Sequence, residues 1–164
     1  MTTPRRRALA ALSAALLATA PVLSACGDRE TAVAGSTWQI TGLWTTPEDP
    51  GMLPDAAAGR AQLIFGEATV TGSTGCAPIQ GTVSFTRGGD PSRAREADAV
   101  TFEAVEIEVP DDSCQGTVRS VHEDLTDLLA PETAYDLRHE SEVELVLTRQ
   151  GELVDRPVIR LSAV

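Results

Sequence analysis

Apolar and polar residues alternate with period two along most of the chain, and with helical period in one stretch only. Trp38 and Ile40 stand between polar neighbours in the run from Ser36 to Leu43, as a half-buried strand requires. The same reading gives strands over 61–65, 68–71, 82–86, 99–109, 134–138, 143–148 and 157–162. Gly66-Glu67 between the second and third runs is a hairpin signal. The segments 47–59 and 87–96 are rich in Pro, Gly and charge and read as surface loops, and 72–81 reads as turn-rich. Between Thr117 and Leu129 the apolar residues Val118, Val121, Leu125, Leu128 and Leu129 fall on one helical face, and Pro131 ends the pattern. The expected fold is mainly β with one α-helix. Seven or eight short antiparallel strands would close into a small barrel-like domain, which removes open edges, and the helix would bury its stripe across a barrel mouth or against one face.

The first 25 residues follow another logic. Arg5, Arg6 and Arg7 precede an apolar run of 13 residues from Ala8 to Ala20, and small residues follow at Ser24 and Ala25. Charge, apolar run and small residues in that order make a secretory signal peptide, and the run is too short for a permanent membrane span of about 20 residues. Leu23-Ser24-Ala25-Cys26 resembles the bacterial lipobox, in which the cysteine takes a diacylglyceryl group and becomes the first residue after cleavage. The resemblance implies lipidation at Cys26, a signal peptide over 1–25, a polar tether over 26–35 and a domain over 36–164. Two acyl chains anchor a protein stably where one does not. The expected address is the extracytoplasmic face of the cell membrane.

Charge narrows the partners. The chain has 13 Lys+Arg against 24 Asp+Glu, and every base is an arginine. Loss of Arg5, Arg6 and Arg7 would leave 10 against 24, a net charge of −14. Nucleic acid is therefore excluded as a partner, and anionic headgroups repel the domain as a whole. Of the three cysteines, lipidation would consume Cys26. In an oxidising compartment Cys76 and Cys114 are expected to pair, the alternative being two unpaired thiols.

Candidate chemistry is sparse. His122-Glu123 begins a His-Glu-x-x-His pattern, but Thr126 stands where the second ligand belongs. His122 therefore reads as a boundary residue of the helix and His139 as solvated in a charged turn. Gly72-Ser73-Thr74-Gly75 lacks the Gly-x-Ser-x-Gly spacing of a nucleophile elbow. Asp111-Asp112 lacks the surrounding pattern of a calcium loop. No metal site, cofactor or catalytic residue is expected. Trp44 lies outside the firm strand pattern and marks a place where a ligand could sit, with core packing as the alternative.

The stretch Thr71-Gly72-Ser73-Thr74-Gly75-Cys76 is similar to the signature of the META or HslJ-like family, a Ser/Thr-Gly-x-x-Gly-Cys-Asn pattern. Trp38 in the first strand, Leu63 and Phe65 before the signature, Cys114 before the helix, Tyr135 and Leu137 after it, then Leu145 and Leu147, fall in the family's order. Ala77 replaces the family's Asn and Val83 its Tyr. The resemblance implies a small antiparallel β-barrel-like domain with a helix, in envelope or secreted proteins linked to stress and drug tolerance. The expected function is that of a lipid-anchored, non-catalytic binding or structural module, with a small apolar ligand or an envelope protein as partner. The alternatives are a hydrolase using Ser73 or Thr74, and an inhibitor or accessory subunit of an envelope enzyme.

Overall fold

The computed structural model describes residues 31–164; the expected signal peptide, Cys26 and the first half of the tether lie outside the described residues. Nine strands and one helix form in the order β1 (Thr37–Trp44), β2 (Ala61–Phe65), β3 (Thr69–Thr74), β4 (Pro78–Arg87), β5 (Asp90–Pro91), β6 (Ala99–Ile107), α1 (Gly116–Leu128), β7 (Thr133–His139), β8 (Glu144–Arg149) and β9 (Val158–Ala163). β5 is a two-residue strand paired only with β4. The other eight pair antiparallel with their chain neighbours, β4 passing directly to β6, and β1 pairs with β9. The sheet is thus an up-and-down meander closed on itself.

Alternation explains the closure. In β2 the residues Ala61, Leu63 and Phe65 are buried while Gln62 and Ile64 lie between them. Eight strands enclose a space that side chains fill, and here they do. Trp38, Ile40, Leu63, Phe65, Phe102, Tyr135, Leu145, Leu147 and Ile159 are fully buried in one cluster. Phe102 is set edge-on to Tyr135 at 5.7 Å and Phe65 edge-on to Phe85 at 6.2 Å, geometries that suit the quadrupoles of the rings.

The two ends of the barrel differ. At the helix end lie the long connections β1–β2, β6–α1–β7 and β8–β9 and the tight β3–β4 turn. α1 buries Val121, Leu125 and Leu128 there, and the Tyr135 hydroxyl donates to the carbonyl of Leu128, pinning the last turn. The chain comes in at the other, N-terminal end. Thr31 donates its N–H to Glu142 O, Val33 is buried, and Trp38 Nε1 donates to Val33 O at 2.9 Å. Gly35 N bonds Phe65 O.

Three expectations change. The tether expected through residue 35 stops short of Val33, which belongs to the core. The turn-rich stretch 72–81 is mostly strand, its turn reduced to the residues between Thr74 and Pro78. Gly72 and Gly81 are strand residues where backbones crowd: a Cβ would lie 2.1 Å from Gln62 O at the first and 2.2 Å from Ala104 O at the second. The loop 87–96 contains β5 and a 3-10 turn over Ala94–Glu96.

Candidate functional site

The stretch from Thr71 to Ala77 builds a hairpin turn at the helix end. Thr74 and Ala77 flank a two-residue loop, Gly75-Cys76, and Thr74 N bonds Ala77 O at 2.9 Å. Gly75 has φ of 92°, the left-handed conformation that the first loop position of such a turn demands and that glycine adopts without strain. Cys76 at the tip reaches Cys114, in the loop that leads into α1, with 5.5 Å between Cα atoms. The pair stands at disulfide distance, as the cysteine count anticipates.

Behind this turn is a hydroxyl–imidazole pair. Thr74 is fully buried and His122 nearly so, with Thr74 Oγ1 2.9 Å from His122 Nδ1. Sequence reasoning set His122 at the helix boundary and did not join it to Thr74. Thr74 Oγ1 also accepts the N–H groups of Cys76 at 3.2 Å and Ala77 at 3.0 Å. A hydroxyl has two lone pairs and one proton. The two N–H groups take the lone pairs, which leaves the proton to be shared between His122 Nδ1 and Ala77 O, 3.3 Å away. A side chain and a base so arranged resemble an activated nucleophile, but an attacking oxygen needs a lone pair aimed at substrate, and both are committed to the turn. The geometry locks β3 to α1. Ser73 Oγ accepts from Gly75 N and serves the same turn. Ala77 is buried, and its methyl asks for no hydrogen bond.

The acids nearby also serve local turns. Asp111 accepts from the hydroxyl and the N–H of Ser113, which hold its carboxyl below the usual range. Asp49 is lowered by the N–H of Gly51, against some burial, with help from Thr45. Asp124 on α1 is shifted upward by burial, then by the charges of Asp49, Asp127 and Glu123. Among the described residues, no group of three or more His, Cys, Asp or Glu side chains is placed to hold a metal ion.

Trp44 ends β1 at the same end of the barrel. Its indole lies on two glycines: a Cβ on Gly51 would be 1.8 Å from Cε2, and one on Gly42 2.7 Å from Cζ3. The Arg160 guanidinium lies 5.5 Å from the ring centroid. Beside the ring is an open groove of about 260 Å³ walled by Trp44, Thr45, Pro47, Arg156, Pro157 and Val158. Met52, Val109, Leu153 and Val154 are exposed in the connections of this end. Trp44 is therefore half-buried packing with one side on a groove, which joins the two readings the sequence left open.

His139 is not the solvated turn residue expected from sequence. It ends β7, packs edge-on to Trp38 at 6.0 Å, and its Nδ1 is buried with no hydrogen-bond partner among the described residues. It walls a pocket of about 340 Å³ at the N-terminal end, with Arg87 and Arg95.

No family model and no curated protein sequence matches the chain. Among solved structures, the NMR structure of a protein from Burkholderia xenovorans is similar, with a TM-score of 0.56 and 12% identity over 90% of this chain and 99% of that one. At that identity the likeness concerns the fold alone.

Proposed function

We propose that this chain is a lipid-anchored extracytoplasmic envelope protein of the META or HslJ-like kind, acting as a non-catalytic binding or structural module. The pairing of Cys76 with Cys114 is the observation that carries the reading. Such crosslinks persist in exported proteins and are rare in the cytosol. It agrees with the signal-peptide pattern and the lipobox-like Leu23-Ser24-Ala25-Cys26. A barrel packed solid directs binding to the outside, and the Trp44 groove with the exposed apolar residues around it offers a surface for a small apolar ligand or an envelope protein. The intact mass of membrane-extracted protein under non-reducing conditions tests the reading. The expected species begins at Cys26, carries a diacylglyceryl group and lacks two hydrogens. A chain that keeps Met1 and two free thiols overturns it.

A second reading, a hydrolase, draws on the Thr74–His122 pair. It requires the turn to open so that Thr74 Oγ1 meets substrate. Covalent labelling of Thr74 by a hydroxyl-directed acylating probe in the folded protein would establish it; the filled lone pairs predict no labelling.

A further inference from the structure

We infer that the N-terminal end of the barrel is the surface that faces the membrane, lying against anionic phospholipid headgroups, and that the helix end with the Trp44 groove points away. The inference rests on the lipid-anchor reading for its natural form.

The length of chain outside the described residues sets the reach. Five residue steps separate Cys26 from Thr31, and an extended chain spans at most ~18 Å over five residues. Thr31 is fastened to Glu142 at the N-terminal end, and Val33 is buried there. The barrel is about 20–25 Å long, judged from strands of up to ten residues and the tilt of an eight-stranded barrel. A linker of that length does not let the helix end roll onto the bilayer without releasing Val33 from the core.

Charge favours the same orientation. The connections of the helix end (residues 45–60, 75–77, 108–132 and 150–157) carry twelve acids against three arginines, a net −9. The connections of the N-terminal end (31–36, 66–68, 88–98 and 140–143) carry six acids against two arginines, a net −4. An anionic surface repels the first about twice as strongly as the second. At the N-terminal end, Arg87 and Arg93 make no ion pair among the described residues. Both are exposed and sit at the pocket walled by His139 or beside it, where a guanidinium can meet a lipid phosphate.

The chain contains no lysine, so a single Lys substitution gives a site for an amine-reactive fluorophore. Arg93→Lys marks the N-terminal end and Ser120→Lys the exposed face of α1. The labelled full-length proteins, with the unsubstituted protein as background for the terminal amine, are reconstituted in phosphatidylglycerol-containing vesicles with brominated lipid. Quenching several-fold stronger at position 93 than at 120 is the expected result; equal or reversed quenching overturns the inference. The same variants hung from a nickel-chelating lipid by a histidine tag at position 26 test the orientation whether or not the natural chain is acylated. Intact mass reports the acylation itself, so the two readings fail separately.

Discussion

Thr74 carries more of the fold than its size suggests. One oxygen serves two backbone N–H groups and an imidazole 48 residues away, the Ala77 N–H and the imidazole buried and the Cys76 N–H partly so. Thr74→Val keeps the shape and removes the oxygen, leaving those three groups unpaired. We expect a loss of about 2–3 kcal/mol, since a buried group left without its partner loses its solvation outright, measured as the midpoint of urea unfolding. Thr74→Ser restores the hydroxyl and should recover most of the loss. Asp124 works the other way. Burial and its acidic neighbours push its pKa up from the ordinary 3.8, so the folded state holds the proton more tightly than the unfolded chain. Stability is therefore lost as pH rises through this titration. Asp124→Asn should stabilise the protein near neutral pH by about 0.5 kcal/mol, a small figure because water screens the site. The gain should fade as pH falls through the raised pKa and be absent below 3.8, and a stability curve against pH for both proteins checks it.

The elements at the helix end are joined covalently as well as by packing. The Cys76–Cys114 bond ties the β3–β4 turn to the start of α1 across 38 residues. The chain-entropy account allows up to about 4 kcal/mol for a loop of that length. Cys76→Ser with Cys114→Ser should lower the urea midpoint accordingly, and a reducing agent should do the same to the parent protein but not to the variant. The bond, the eight closing strands and α1 were all readable from period, spacing and cysteine count, because each is a local pattern or a simple parity. Two features were not. Gly72 and Gly81 look like turn residues in sequence, and only the neighbouring carbonyls of Gln62 and Ala104 show why a strand needs glycine there. The Thr74–His122 bond joins two elements whose distance in space no local pattern reports. A signal was present all the same: His122 lies four residues after Val118 and three before Leu125, so it falls on the buried stripe of the helix and needed a partner inside.

For the molecule as a whole, the N-terminal end is part of the barrel rather than an appendage to it. The segment before β1 has the composition of a linker, small and polar, and nothing periodic in it announces structure. Its place in the core depends on contacts that the rest of the chain supplies. Val33 is buried beneath the sheet, and its carbonyl is the acceptor for the indole N–H of Trp38, a fully buried ring. Burying a valine is worth about 1.5–3 kcal/mol, and an indole N–H left without an acceptor costs about 1–3 kcal/mol more. A chain beginning at Ser36 should therefore be about 2–4 kcal/mol less stable than one beginning at Thr31, with Trp38 emission shifted to the red as water reaches the ring. Equal stability and unchanged emission would mean that the eight strands close the core without help from Val33. The segment would then be free to extend, and the limit it sets on how far the domain stands from a membrane would lengthen by the residues released.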